Sequence, residues 1–238
     1  KYSQNTQQRE LSLIKTVCTH AKYSGLETHV QLDGLRINKE PVNHIYLNFD
    51  EIETLKNLKL ESEYLDNARD WLLISCYTGQ RVSDFMRFNK DTIRIEDNRY
   101  FLEFKQQKTK KLMVIPLSKE AREVLNKRGG EFPRPLSDQK YNDYIKVICQ
   151  KAEFKELVKG KKRTKIRDKV YRDVSGTFEK WELVSSHIGR RSFATNHYGK
   201  IPTSFLINIT GHSSEKMFLS YIKKSSLDIA IESYKYFE

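Results

Sequence analysis

The stretch from Gly211 to Tyr221 reads Gly-His-Ser-Ser-Glu-Lys-Met-Phe-Leu-Ser-Tyr, and it predicts the end of one helix and the start of another. Glycine commonly follows the last turn of a helix, so we expect His212 directly after a helix end. The next helix is predicted over residues 214–223, with Tyr221 on it and the apolar residues 217–219 on its packing side. The pattern therefore predicts an imidazole and a phenol at a set spacing.

A second stretch, His187-Ile-Gly-Arg190, lies upstream in a helix predicted over residues 186–199. Residues three apart on a helix share a face, so His187 and Arg190 are expected to point the same way. Ser185 or Ser186 could cap this helix.

A third stretch, Thr78-Gly-Gln-Arg-Val-Ser-Asp84, follows a long apolar helix predicted from Tyr64 to Tyr77. It adds a second arginine, Arg81. Two arginines, two histidines and a tyrosine are what transfer of a phosphoryl group to a protein hydroxyl would need without a metal ion.

The composition favours a nucleic-acid partner. The chain has 238 residues with 43 Lys and Arg against 31 Asp and Glu, which gives a net charge of +12. A basic soluble protein with no such partner would show the same charge, so the charge favours nucleic acid without deciding it. No apolar run is long enough to span a membrane, which predicts a protein without a membrane partner. The three scattered cysteines are typical of reduced core residues, and we expect a cytoplasmic, nucleoid-associated location in a bacterium.

The remaining pattern predicts a mainly α chain with one small antiparallel sheet, which is an α+β fold. Residues 26–46 indicate a strand-like segment and a linker. Alternating residues in 92–117 predict three short strands, and residues 159–180, which are crowded with Lys and Arg, predict an exposed loop or hairpin. The other segments predict helices. These segments are residues 11–21, 119–127, 139–154, 203–210 and 226–236, and a further helix begins near the capping box at 48–51.

The order of these motifs resembles the catalytic domain of tyrosine recombinases, the phage integrase family. Gly79-x-Arg81-x-Ser83-Asp84 is similar to the first arginine box of the family, and His187-x-x-Arg190 to the second. Lys108, followed by the apolar segment 114–117, is similar to the β-hairpin that carries the family's lysine. Gly211-His212 with Tyr221 is similar to the third box and the nucleophile. Five motifs in one order are a far more specific signal than any one of them.

The resemblance covers roughly residues 47–238, which it implies to be the catalytic domain. Residues 1–40 resemble the C-terminal part of the helical, SAM-like core-binding domain that precedes it in the family. The chain departs from the family at Gln80, where leucine is common, and at Arg191, where histidine or lysine is common.

The resemblance also implies a mechanism in which the Tyr221 oxygen attacks a DNA phosphate and forms a 3′-phosphotyrosine. A phenol is a weak nucleophile at neutral pH, so His187 would act as its general base. Arg81 and Arg190 would hold the non-bridging phosphate oxygens, because a guanidinium is planar and permanently charged.

The other matched residues would complete the reaction. Lys108 would protonate the leaving 5′-oxygen, although Lys105, Lys110 or Lys111 could fill this role instead. His212 would hydrogen-bond the scissile phosphate or position it, and Asp84 would orient its neighbours. No cofactor and no metal are expected, since the cationic side chains replace the metal ion that many nucleases need.

Double-stranded DNA is the expected partner, and exchange between two duplexes implies a homotetramer on DNA that could be a monomer when free. An apolar stripe over residues 227–234 would pack on a neighbouring protomer or on the chain's own core. Six further side chains are expected to contact DNA. These are Lys110, Lys111, Lys161, Lys162, Arg163 and Arg191.

The sequence leaves rival functions open. A catalytically silent DNA-binding protein of the same fold would share the motifs, but it should have lost one of the six catalytic residues, and all six are present. A type IB topoisomerase-like enzyme would share the chemistry and relax DNA as a monomer. A basic RNA-binding protein would leave the ordered motifs unexplained.

Overall fold

The computed structural model describes residues 2–36, 38–40, 44–222, 226–234 and 237. The chain divides into two compact units. The first unit contains residues 1–43 and 159–177, and the second contains residues 44–158 and 178–238.

The first unit begins with α1 (Gln4–Tyr23), whose first turn is capped by the Ser3 side chain. The short helix α2 (Gln31–Gly34) follows, so the strand-like structure expected within 26–46 is wrong for these four residues. Backbone bonding there is local, since the Leu32 N–H donates to the His29 carbonyl, and this favours a helical turn over a strand. The unit also contains most of a two-stranded hairpin formed by β4 (Leu157–Arg167) and β5 (Val170–Glu179). This hairpin settles the choice between loop and hairpin for 159–180.

The second unit contains the remaining helices and a three-stranded sheet. Its helices are α3 (Phe49–Asn57), α4 (Glu63–Thr78), α5 (Val82–Phe85), α6 (Lys119–Lys127), α7 (Asp138–Lys151), α8 (Ile188–His197), α9 (Thr203–Thr210), α10 (Glu215–Leu219) and α11 (Ser226–Tyr234). Two 3₁₀ turns lie at Lys90–Thr92 and Lys180–Leu183.

Helix α4 is the centre of this unit. Its buried side chains include Trp71, Leu72 and Ile74, each with no exposed surface, and α3, α6, α7 and α8 pack around it. The helix ends at Gly79, whose φ of 67° lies in the left-handed region that glycine adopts without strain. The helix predicted from Tyr64 to Tyr77 is thereby confirmed.

The three-stranded sheet is antiparallel, in the order β1 (Ile93–Glu96), β2 (Arg99–Lys105) and β3 (Leu112–Pro116). Leu102 pairs with Ile115, and both side chains are fully buried on the core side. The predicted α+β fold class is confirmed, but the expectation of one sheet is wrong because the β4–β5 hairpin forms a second. Within the described part of the chain, no helix combines the length and hydrophobicity that a membrane span needs.

Gly189 lets α8 approach α4 so closely that any side chain at this position would clash. A Cβ there would lie 1.9 Å from the Ser75 Oγ and 2.8 Å from the Ser75 carbonyl carbon, which is backbone and cannot rotate away. We expect Gly189→Ala to force the two helices apart and to lower the free energy of unfolding by about 3 kcal/mol.

Urea unfolding followed by circular dichroism measures this effect. Gly34→Ala is the matched control, because a Cβ at Gly34 would meet nothing within 4 Å. An unchanged urea midpoint for Gly189→Ala would contradict the close approach of the helices.

Candidate active site

Arg190 lies at the centre of the site, in the first turn of α8, and its side chain is fully buried. Its Nη1 donates to the carbonyl oxygen of Gly79 at 2.8 Å, which ties α8 to the end of α4. Burial and the nearby charge of Arg81 lower the pKa of Arg190 to about 10, so the guanidinium remains charged at neutral pH. Its Nε has no hydrogen-bond partner.

Gly79 serves this arrangement in a second way. A Cβ at this position would lie 2.6 Å from Cδ1 of Phe193, so only glycine allows the α4 terminus to approach α8. The same residue therefore ends the helix and presents its carbonyl oxygen to Arg190.

His212 is almost completely buried, and its hydrogen bonds define its tautomer. Its Nδ1 lies 2.7 Å from the Thr210 hydroxyl oxygen, and that hydroxyl lies 2.6 Å from the carbonyl oxygen of Leu206. Because a carbonyl oxygen can only accept, the hydroxyl proton lies on the Leu206 side, and Nδ1 must carry the proton that binds Thr210. Nε2 is therefore unprotonated.

The guanidinium of Arg190 lies over the face of this imidazole. Its Nη2 is 3.2 Å from Nε2 and 3.5 Å from Nδ1, and so similar a distance to both nitrogens is sterically possible only above the ring. Burial, followed by the charges of Arg190 and Arg81, lowers the pKa of His212 to about 3. The ring is neutral at the pH of the cell.

We expect nitrogen-detected NMR to find His212 neutral and protonated on Nδ1 from pH 7.5 down to pH 5, because its folded pKa is about 3. In the unfolded chain the imidazole takes up its second proton near pH 6.5. The contribution of neutral His212 to the free energy of unfolding is therefore complete above that pH, and it is lost as the pH falls toward 3. Thr210→Val should remove the Nδ1 acceptor and populate the other tautomer. A His212 signal that titrates near pH 6.5 would contradict the assignment.

Tyr221 lies against both of these residues. Its ring centre is 4.7 Å from that of His212 in an edge-to-face arrangement, and 5.6 Å from the guanidinium carbon of Arg190. The expectation that Tyr221 lies on a helix is wrong, because α10 ends at Leu219 and the Tyr221 N–H donates to the Phe218 carbonyl in a tighter turn. The hydroxyl of Ser220 bonds the Met217 carbonyl and competes with continuation of the helix.

The packing side of α10 is also narrower than the sequence predicts. Phe218 is fully buried, but Met217 and Leu219 are 53% and 41% exposed. Phe218 alone anchors this segment, and its ring contacts that of His212 at 5.6 Å between centres.

Arg81 and Asp84 lie at the start of α5, where the chain leaves Gly79. Arg81 is half-buried, and one of its terminal nitrogens, Nη1, is buried without a partner. Asp84 is 2% exposed, and its Oδ1 accepts from the backbone N–H of Gln107 at 2.7 Å. The aspartate thus connects the first arginine segment to the turn between β2 and β3.

That turn carries Lys108, which is exposed together with Lys110 and Lys111. Lys110 has a φ of 59°, in the left-handed region. The expected β-hairpin is present, and Lys108 lies on the turn between its strands.

His187 is the N-cap residue of α8, so the expected cap by Ser185 or Ser186 is wrong. The imidazole keeps an exposed surface, yet partial burial and then the charges of Arg191, Arg190, Arg81 and Lys108 lower its pKa. At neutral pH the ring is therefore mainly neutral and can accept a proton. The same four charges place His187 within the electrostatic field of the site.

The predicted contact residues outside this centre have different surroundings. Arg191 is half-buried, one helical turn after His187, and burial lowers its pKa. In the first unit, Lys161 pairs with Glu40 at 3.0 Å, and Arg163 lies over the Tyr171 ring at 5.3 Å. Lys162 is half-buried in the same strand.

Three buried polar residues that support the site were not predicted from sequence. Thr210 fixes the His212 tautomer, and Gln80 donates to the carbonyl oxygens of Thr78 and Ile209 at 2.8 and 2.7 Å. Gln106 lies at the base of the β2–β3 turn and is 1% exposed. The sequence shows glutamine at position 80, where leucine is common in the family. No local pattern predicts that its partner is a carbonyl oxygen 129 residues away.

Among the described residues of this unit, seven buried side-chain polar atoms lack partners, and five of them belong to residues in or beside these motifs. They are Gln80 Oε1, Arg81 Nη1, Asp84 Oδ2, Gln106 Nε2 and Arg190 Nε. Unpaired buried donors are costly to a fold, and two of these five atoms belong to guanidinium groups. Among the described residues, no group of three or more His, Cys, Asp or Glu could hold a metal ion. The chemistry of the site is that of a cationic pocket for an anion.

In a comparison with protein-family models, residues 45–227 match the Phage integrase family. This match covers well over half of the chain, and the fold class and the ordered motifs agree with it. The chain belongs to the phage integrase family. A search of curated proteins finds no significant match.

Solved structures of tyrosine recombinases share the fold. A lambda integrase dimer bound to a COC′ core site has a TM-score of 0.64 and 19% identity, with 94% of this chain and 75% of that chain covered. A lambda integrase tetramer bound to a Holliday junction has a TM-score of 0.59 and 19% identity, with coverage of 91% and 61%. XerH site-specific recombinase bound to palindromic difH substrate, in a post-cleavage complex, has a TM-score of 0.55 and 16% identity. That match covers 88% of this chain and 56% of the XerH chain.

Proposed function

We propose that this protein is a site-specific DNA recombinase that cleaves and rejoins strands through a 3′-phosphotyrosine intermediate. The observation that carries the proposal is the contact among Arg190, His212 and Tyr221, which places a phenol beside a buried guanidinium that has unpaired donor capacity. Membership of the phage integrase family and the DNA-bound state of the similar structures support it.

In the proposed reaction, the Tyr221 oxygen attacks the phosphorus and the bond to the 5′-oxygen breaks. His187 takes the phenolic proton, a role that its lowered pKa favours because the ring is mainly neutral. Lys108 gives a proton to the departing 5′-oxygen. Atoms and charge balance because one proton is removed and one is supplied.

Arg81 and Arg190 hold the non-bridging oxygens, on which negative charge accumulates in the transition state. Fixed cations in a partly desolvated site stabilise that charge more than the ground state, because little reorganisation is needed. The neutral Nδ1–H tautomer of His212 has no second N–H to donate to a phosphate oxygen. His212 therefore acts by positioning Arg190 and Tyr221, which it contacts. Asp84 holds the lysine turn, and the reaction needs neither metal nor ATP.

The covalent link retains the energy of the phosphodiester, so a 5′-hydroxyl from another strand can reverse the attack and complete an exchange. A homotetramer on double-stranded DNA would supply the four sites this requires. The described side chains of the α11 stripe favour a neighbouring protomer over the chain's own core, since Leu227, Ile231 and Tyr234 are 64–68% exposed.

The DNA contacts are proposed from the basic side chains. Lys110 and Lys111 on the β2–β3 turn, and Arg191 beside the site, would contact phosphates near the cleavage point. Lys161, Lys162 and Arg163 would contact the backbone elsewhere, with residues 1–40 acting as the end of a core-binding domain.

A denaturing gel tests the proposal. The protein is incubated with nicked or phosphorothiolate-trapped duplexes of the element's junction sequence, or of random sequence, in a chelator of divalent metals. A slow covalent protein–DNA band supports strand transfer, whereas stable DNA binding without an adduct supports the silent DNA-binding alternative. Relaxation of supercoiled plasmid by a monomer, without exchange between duplexes, would support the topoisomerase-like alternative.

A further inference from the structure

The turn between β2 and β3 is organised by one buried glutamine. The Oε1 of Gln106 accepts from the Thr109 hydroxyl at 2.6 Å, which ties the side chain across the turn. The backbone of Gln106 also closes the turn, since its N–H donates to Lys111 at 2.9 Å and its carbonyl accepts from Lys110 at 3.0 Å. Lys108 lies inside this ring of bonds.

The same glutamine contacts the segment that leads to His212. A Cβ on Gly211 would lie only 2.5 Å from the Gln106 Nε2, so the amide occupies the space that a side chain at position 211 would need. Gly211 has a φ of 65°, which ends α9. Gln106 is thus packed between the lysine turn and the backbone immediately before His212.

A second contact, between Asp84 and Gln107, also holds the turn. Asp84 accepts from the backbone N–H of Gln107 at 2.7 Å, and Asp84 lies three residues after Arg81. Lys108 therefore follows two consecutive residues with such contacts. Gln106 packs against Gly211, and Gln107 donates its N–H to Asp84.

We propose that Gln106 is a positioning residue that holds Lys108 at the leaving oxygen by coupling the β2–β3 turn to the Gly211–His212 segment. This inference rests on the proposed function. A lysine side chain has four rotatable bonds, so its reach depends on where the turn places its backbone. Proton transfer needs the acid within hydrogen-bond reach of its target, and a displacement of about 1 Å can lower the rate about 100-fold.

The test compares two substrates that differ in one bridging atom. In the first, the leaving group is the normal 5′-oxygen, which needs a proton. In the second, sulfur replaces that oxygen, and a thiolate leaves without an acid because its pKa is much lower. Single-turnover adduct formation is measured on both for the parent protein, Gln106→Leu, Thr109→Val and Lys108→Ala.

We expect Gln106→Leu and Thr109→Val to lower the rate on the oxygen substrate by about 10- to 100-fold and to react with the sulfur substrate within about twofold of the parent. Lys108→Ala should show the same selectivity with a larger loss. Thr109 is exposed, so Thr109→Val tests the coupling even if Gln106→Leu fails to fold.

Gln80→Leu is the matched control, because Gln80 is also a buried glutamine but bonds Thr78 and Ile209 instead of the lysine turn. Any loss there should be equal on both substrates. Equal losses on both substrates for the Gln106 and Thr109 variants, or no loss, would overturn the inference while leaving the proposed function intact. If the parent protein forms no adduct with either substrate, the proposed function itself fails and the inference fails with it.

Discussion

Tyr221→Phe is expected to abolish the covalent protein–DNA adduct and to leave DNA binding unchanged. The substitution removes only the oxygen that would attack phosphorus, and loss of a nucleophile lowers the rate of the chemical step by at least about 10⁴-fold. A phenylalanine ring keeps the edge contact with His212 and the position beside Arg190, so the fold of the site should persist. Adduct formation on a trapped substrate and DNA affinity by fluorescence anisotropy measure the two effects.

Tyr64→Phe is the matched control, because Tyr64 is 52% exposed and packs on Tyr144 away from the site. It should form adduct at the parental rate. Adduct formation by Tyr221→Phe would mean that another of the 13 tyrosines is the nucleophile, and the proposed site would be wrong.

Arg190→Lys is expected to lower the cleavage rate by about 10²–10³-fold although the charge is kept. The guanidinium bonds Gly79 through Nη1 while Nη2 lies over His212, and its Nε remains unpaired. An ammonium group is a single point and cannot make these contacts together, so the phosphate would lose a fixed bidentate partner. The single-turnover rate at saturating protein separates this loss from weaker binding.

Arg134→Lys provides the comparison, since the Arg134 side chain is 75% exposed and pairs with Glu63 on the surface. It should cleave as the parent does. A parental rate for Arg190→Lys would show that Arg190 provides only charge, and the contribution of its geometry to catalysis would be refuted.

The regular elements of the second unit followed from local sequence patterns. The alternation in 92–117 and the apolar run of α4 depend on residues close in sequence, so their bounds were predicted to within a residue or two. The capping box of Asn48 and Glu51 is present as predicted, because it too is a local set of hydrogen bonds. The resemblance of the ordered motifs implied that Arg190, His212 and Tyr221 belong to one site, which periodicity alone could not have predicted.

Features that depend on distant partners were missed. Gln80 bonds a carbonyl 129 residues away and Asp84 bonds an amide 23 residues away, and no local period reports such contacts. The end of α10 before Tyr221 was missed because the competing bond from the Ser220 hydroxyl has no signature in apolar spacing. Helix α8 starts at Ile188 without a serine cap for a similar reason, since the Ser186 N–H donates to the Asn142 side chain in α7.

The most direct test of the account is to identify the residue that becomes linked to DNA. The adduct formed on a phosphorothiolate-trapped substrate in chelator would be digested with nuclease and protease and analysed by mass spectrometry. We expect a nucleotide remnant joined through its 3′-phosphate to Tyr221, with the other peptides unmodified. A remnant on any other residue, or one joined through a 5′-phosphate, would contradict it.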